Sequence, residues 1–268
     1  MPSKVSGELQ RVADGILGRI VSGTYPSGLR LPSEIELGRE FSCGRSTVRE
    51  ALRYLADLGV VKSRRGSGAM VLDFRREGTP ALLPFYVLAG RFDKPLHVLA
   101  RELFRLRAIL ASEAVRLAAC YGDPAQIAES RRLLALAPSL EGDRAAHAWN
   151  DLEIFRTLVF SSGIWPAVWL ANTFWAPMRE LHAQLAPAIG VVPADYQVEM
   201  GKLLDRIEAR DEVGAVRHLD AWIERVDRGM LAGFERVLGQ GGDRKDGEAE
   251  QTNLTQAATA ARKKAVTQ

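Results

Sequence analysis

Arg45, Arg49 and Arg53 recur every four residues along one side of a segment whose other side carries Val48, Ala51, Leu52 and Leu55. A helix with a cationic stripe back to back with an apolar stripe needs a core behind it and an anion in front of it. What precedes it narrows the fold further. Ser33 and Glu36 have the three-residue spacing of a capping box, which predicts a second short helix starting at Ser33. Ser42-Cys43-Gly44 is a break between the two. Two short helices, a tight turn and arginines on the second predict a helix-turn-helix whose second helix enters a DNA major groove.

The flanks complete the unit. Leu9, Val12, Ala13, Ile16, Leu17, Ile20 and Val21 repeat at helical spacing and predict a first helix from about Ser6 to Ser22. The third helix is expected from about Arg45 to Leu58, ending at Gly59. After it, Val60–Arg65 and Ala69–Leu72 are rich in strand formers around a Gly66-Ser67-Gly68 tip, a small β-wing. The expectation is a winged helix-turn-helix over residues 1–73. Residues 74–79, Phe-Arg-Arg-Glu-Gly-Thr, shift in composition and are expected to be a linker.

Charge agrees with this division. Net charge over all 268 residues is only +3, but residues 1–76 carry 13 Lys/Arg against 8 Asp/Glu. A local cationic excess is what phosphate contact and counterion release require. Cys43 and Cys120 offer no disulfide framework and read as free thiols of a reducing compartment. Met1–Gly7 lacks a basic start followed by an apolar core, so the expected location is cytoplasmic. The uncharged stretch Thr157–Met178 has the length of a membrane span. Its Ser161, Ser162, Gly163, Pro166, Asn172 and Pro177 instead predict two buried helical pieces around a turn, with no membrane partner.

Helical stripes cover about 80–90, 95–121, 124–137, 143–162, 164–186, 194–210 and 211–238. Gly122-Asp123-Pro124, Gly142-Asp143 and Val192-Pro193 supply the breaks. The fold class expected is therefore mainly α, a winged helix-turn-helix followed over 80–238 by an all-α bundle of six or seven helices for ligand binding and dimerisation. Residues 239–268 are nearly devoid of bulky apolar side chains and are expected to be disordered.

Leu31-Pro-Ser-Glu34, Leu37, Arg45-Ser-Thr-Val-Arg-Glu-Ala-Leu52, Leu55, Gly59 and the Gly66-Ser-Gly68 wing resemble the DNA-binding half of the GntR superfamily. The all-α half, with Ile154-Phe-Arg156, Leu158, Phe160 and Ser162-Gly163, is similar to the fatty-acid-responsive FadR branch. The resemblance implies a homodimeric transcription factor and not an enzyme. It would read a palindromic operator in double-stranded DNA and bind a long-chain acyl-CoA effector that releases the DNA. It also implies control of fatty-acid metabolism genes, both as repressor and as activator.

The candidate residues each have a plainer reading. Arg45 and Arg49 match DNA-contacting arginines of the family, and a bidentate Arg–guanine pair discriminates by roughly tenfold or more. The alternative is two solvated arginines, with Arg49 pairing Glu50 or Arg53 pairing Asp57. Ser46 and Thr47 are short hydroxyl donors to phosphate or base edge. Glu34 either orients an arginine, accepts from a cytosine, or charges a helix start. Ile35 departs from the family's usual arginine, so one contact should be missing. Arg65 stands where the FadR branch has a histidine; beside Gly66 it is expected to enter a minor groove or to be a solvated hairpin charge.

In the helical half, Arg107 borders the apolar face and matches an arginine the family places near its effector. Otherwise it snorkels or pairs Glu102 or Glu113. Trp165 and Trp169, one turn apart beside Pro166, either line an apolar acyl tunnel or belong, like the other tryptophans and Phe155, Phe160 and Phe174, to plain core. A related branch of the superfamily holds a divalent metal with an Asp, a His four residues later and two further histidines. Ungapped reading puts Leu152, Arg156, Met200 and Trp222 there, which are not metal ligands. His97, His147, His182 and His218 lack ligand spacing, so no metal and no cofactor are expected. The Gly/Ser/Trp cluster of the FadR branch's last helix is absent from Ile223–Met230. The alternative function is a regulator of the same fold that answers a small organic acid, with or without metal.

Overall fold

The computed structural model describes residues 7–64, 68–88, 96–140, 142–189 and 192–239. The chain divides into two compact units, Met1–Phe92 and Asp93–Gln268.

The first unit begins with α1 (Gly7–Val21), whose Leu9, Val12, Ala13, Ile16, Leu17 and Ile20 form one buried stripe. Helix α2 (Glu34–Glu40) starts with the capping box expected from sequence: Glu36 N–H donates to Ser33 Oγ, and Ser33 N–H donates to Glu36 Oε2 at 2.7 Å. The turn after α2 is led by Ser42, in the left-handed region at φ 51°, while Gly44 is the extended N-cap of α3 (Arg45–Asp57). Val48, Ala51, Leu52 and Leu55 of α3 pack into the core made with α1 and Leu37.

Strands β1 (Val61–Arg64) and β2 (Gly68–Val71) pair antiparallel, with Val61 opposite Val71 and Lys62 opposite Met70. The stretch before α2 pairs with the other edge of β2: Leu31 N–H donates to Ala69 O at 2.8 Å and Val71 N–H to Leu29 O at 2.9 Å. Strand β2 is therefore paired on both edges, and Ala69 and Val71 turn inward.

Residues 74–79, expected as a linker, fold differently. Phe74–Glu77 is a helical turn, α4, capped by Asp73, and Thr79 N–H donates to Leu58 O at 3.1 Å. Gly59, at φ +75°, ends α3 so closely under this turn that a Cβ there would lie 2.0 Å from Glu77 O. A 3₁₀ turn (Pro80–Leu82) and α5 (Leu83–Leu88) follow, and Leu82, Phe74 and Phe85 join the first core. The described part of the stripe at 80–90 thus belongs to the first unit, because Leu82 is buried in that unit's core and Phe85 packs against it.

The second unit comprises α6 (Leu96–Tyr121), α7 (Pro124–Leu136), α8 (Arg144–Ser161), α9 (Trp165–Ile189), α10 (Tyr196–Glu208) and α11 (Glu212–Gly239). Helix α8 packs on α6, α7 and α9, while α11 packs on α6 and α10. Two of the three expected breaks carry a side-chain cap, while α10, after Val192-Pro193, starts at Asp195 without one. Asp123 caps α7 ahead of Pro124, and Asp143 caps α8 by accepting from Ala146 N–H at 2.9 Å. Ile127, Ile154, Leu158, Met200, Leu203, Leu204, Ile207 and Leu219 form the core. Arg210, left-handed at φ 60° between α10 and α11, donates to Ala118, Ala119 and Gly122 carbonyls and so closes the C-terminal end of α6.

The uncharged stretch 157–178 is the end of α8, a turn at Gly163 (φ +65°) and the first half of α9, with Pro177 accommodated inside the helix. No described helix is long and apolar enough to cross a membrane. The predicted tail, 239–268, lies outside the described residues except for Gly239, the end of α11.

Candidate DNA-reading surface and effector cavity

Burying Val48, Ala51, Leu52 and Leu55 leaves Arg45, Ser46, Arg49 and Arg53 exposed on the opposite side of α3. Arg49 does not pair within its own helix. Its Nε donates to Glu34 Oε1 at 3.1 Å and its Nη2 to Glu34 Oε2 at 2.8 Å, a bidentate clasp across the turn to the first residue of α2. These hydrogen bonds, with the nearby Arg45 charge, hold the Glu34 carboxyl below its usual range. Arg49 remains 72% exposed, so one face of its guanidinium is free for a further acceptor. Thr47 is half-buried, its Oγ1 3.5 Å from Glu8 Oε2 on α1. Ile35 is 41% exposed, an apolar side chain beside Glu34. Arg65 and Gly66 lie outside the described residues.

Two apolar cavities, about 130 and 180 Å³, open in the helical unit. The first is lined chiefly from α6, α8, α9 and α11, with Leu103, Phe104, Leu181, Leu185 and Val226 as apolar wall and Arg144 and His147 as polar members. The second takes Leu110, Leu117, Phe155, Phe174 and Ile223, with Arg156 and Glu113. Five residues border both: Arg107, Asp151, Met178, His182 and Trp222.

That shared wall holds the polar chemistry. Arg107 forms an ion pair with Asp227 of α11, while its buried Nε has no acceptor among the described residues. Burial pushes the Asp227 carboxyl above its ordinary value even though Arg107 pulls the other way, so desolvation outweighs the pairing. The indole N–H of Trp222 is likewise buried without an acceptor. Asp151 accepts from the Tyr196 hydroxyl at 2.7 Å; burial first, and Asp151 second, push that phenol well up. His182 Nδ1 donates to Met178 O at 2.7 Å, and burial pushes the imidazole down, which leaves Nε2 as a neutral acceptor. Arg144 donates to Pro187 O at 3.3 Å and has no carboxylate partner among the described residues.

Of the residues expected to hold an effector, Arg107 lines both cavities. Trp165 and Trp169 line neither: they are 55% and 65% exposed. The inward stripe of α9 is centred on Ala167, Ala171, Phe174 and Met178, with Leu170 and Trp175 at its edges, and two residues along an α-helix is about 200° of rotation, so Trp165 and Trp169 point away. Asp151, His147, His182, Tyr196 and Asp227 were not anticipated. His147 and Asp151 share one face of α8 by their four-residue spacing, a signal open to reading; Asp227 lies 120 residues from Arg107 and gives none. At the positions compared with the metal-binding branch, Leu152 and Arg156 line the second cavity, Met200 is core and Trp222 is in the shared wall. Among the described residues, no group of three or more His, Cys, Asp or Glu side chains is placed to hold a metal ion.

Residues 9–71 match the model for bacterial regulatory proteins of the gntR family, and residues 102–225 match the FCD domain. The HTH-type transcriptional repressor NanR of Salmonella newport is 32% identical over 212 residues, 75% of this chain and 77% of that protein. Mce2R, an HTH-type transcriptional regulator of Mycobacterium tuberculosis, is 28% identical over 83% of this chain and 91% of its own. The fatty acid metabolism regulator protein of Shewanella frigidimarina is 30% identical over 55% of this chain and 59% of its own. Among solved structures, Lar, which controls expression of the Listeria monocytogenes agr system, superposes with a TM-score of 0.53 at 15% identity, covering 84% of this chain and 96% of Lar, a likeness of fold. With its helix-turn-helix and FadR-like C-terminal domain both matched, the chain belongs to the gntR family of bacterial transcription regulators.

Proposed function

We propose that this chain is a homodimeric transcription factor of fatty-acid metabolism genes whose hold on a palindromic operator is released by a long-chain acyl-CoA. The observation that carries the reading is the pair of adjoining apolar cavities with a polar shared wall at Arg107. An extended ligand with apolar arms on either side of a carbonyl suits that layout, because Arg107 Nε and Trp222 Nε1 are buried donors in need of an acceptor. Arg144, a cation with no described carboxylate partner on the first cavity, suits a phosphate-bearing head.

On DNA, Arg45 and Arg49 read base edges in the major groove, with Glu34 orienting Arg49. Ser46 contacts phosphate, and Thr47 does so from a less exposed position. Arg65 and Gly66 of the wing reach the minor groove. Ligand acts by its unequal affinity for the dimer shapes that do and do not match the two half-sites.

The test is a gel-shift titration with palmitoyl- or oleoyl-CoA. Release of operator supports the reading; unchanged binding at saturating ligand ends the fatty-acid assignment. The concentration of Arg107, Asp151 and His182 in one wall favours a second reading, a small organic acid held there with or without a metal. Tightly bound metal in the purified protein, together with no acyl-CoA effect, selects it.

A further inference from the structure

The outer face of α9 is unlike the rest of the surface. From residue 157 to residue 178 the chain has no charged side chain, yet Trp165, Pro166, Trp169, Leu170, Asn172 and Thr173 are exposed. Phe160, at the end of α8, extends the patch, its ring edge-on to Trp165 at 6.0 Å. Phe160, Trp165 and Trp169 leave 44%, 55% and 65% of their surfaces to solvent, and Leu170, at the rim where α9 also borders the second cavity, leaves 60%. With aromatic side chains of 150–250 Å², that is roughly 500 Å² of apolar surface in one place, at the upper end of what a monomer exposes.

We infer that this face is where a second copy of the chain packs. Two such faces against each other bury about 1,000 Å², the lower bound for a specific interface. In a two-fold contact residue i meets residue j and j meets i, but side chains at the axis meet their own copies, so a patch whose centre carries no charge avoids like-charge repulsion there. Tryptophan at the centre, with charge kept out, is the composition of an interface core. A helix lying on a bilayer surface instead carries Lys or Arg along its polar side; α9 has none before Arg179. The inference rests on the homodimeric reading above and adds the surface. The opposite face of the same helix lines both cavities, so the contact would sit directly behind the cavity wall.

Sedimentation equilibrium of the full chain tests it, with Trp165→Ser/Trp169→Ser as the first variant and Asn172→Arg as the second. The substituted side chains are exposed, so far-UV circular dichroism should match wild type. Ile109→Ser/Val213→Ser, at two other exposed apolar positions, is the control. The expected result is a wild-type dimer, a dissociation constant raised about a hundredfold in the first variant and by at least tenfold in the second, and no change in the control. Both α9 variants remaining as dimeric as wild type overturns the surface while leaving the dimeric regulator standing. A wild-type monomer across micromolar concentrations overturns both. Tryptophan-dependent co-sedimentation with anionic phospholipid vesicles, without effect on self-association, also overturns it, in favour of a membrane.

Discussion

Glu34 and Arg49, the first residue of α2 and the fifth of α3, meet through two parallel hydrogen bonds at 3.1 and 2.8 Å. A flexible arginine is thereby fixed in one orientation at the surface proposed to face DNA, while most of its guanidinium stays open. Orienting a donor before it binds lowers the entropic cost of the contact.

Glu34→Gln should lower the ratio of operator to non-operator affinity severalfold while non-operator affinity rises, because a negative charge leaves the phosphate-facing side. Arg49→Ala should cost tenfold or more in the same ratio. Fluorescence anisotropy on both duplexes measures each. Since Arg49 holds the Glu34 carboxyl below its ordinary 4.5, the clasp's contribution is complete above that value and is lost as pH falls through the lowered one. The wild-type-minus-Gln stability difference should therefore be flat from pH 5 upward.

Ile35→Arg should restore a cation at an exposed position of α2. The expected outcome is tighter DNA binding with a salt dependence steeper by about one ion, read from titrations at several salt concentrations.

Gly59→Ala should destabilise the first unit by more than about 2 kcal/mol, combining left-handed strain with overlap. The added Cβ would sit 2.0 Å from Glu77 O, which is backbone and cannot rotate aside. Urea unfolding measures it, and Gly7→Ala, where a Cβ meets nothing within 4 Å, is the control.

Asp227→Asn tests the buried partner of Arg107. Burial raises this carboxyl above 3.8 in the folded state, so folding favours its protonated form, and wild-type stability declines as pH rises from 3.8 through the raised value. The stability difference between Asn and wild type should shift toward Asn over that window and level off above it. A difference independent of pH would remove the desolvation argument.

The local sequence was sufficient wherever a rule acts within a few residues. The capping box at Ser33 and Glu36, the starts at Asp123 and Asp143, the turn at Gly163 and the stripes of α6–α11 depend on neighbouring side chains and backbone. They were legible, and so was the exposed arginine row that follows from burying Val48, Ala51, Leu52 and Leu55. The family resemblance extended that reading, and the matched helix-turn-helix and FCD domain agree with it.

Other features required the packed chain. Residues 74–79 have linker-like composition and 80–88 read as a stripe of the later bundle, yet Phe74, Leu82 and Phe85 join the core of the first unit, which no local pattern specifies. Trp165 and Trp169 carry the same spacing whether they face a cavity or solvent; the rotation of α9 about its axis, set by Phe174 and Met178 facing inward, turned them out. Arg107 looked for a carboxylate within its own helix and met Asp227 from the far end of the chain instead. Periodicity fixes which residues share a face, but the direction that face takes, and the distant residue waiting there, are decided only when all the helices compete for the same interior.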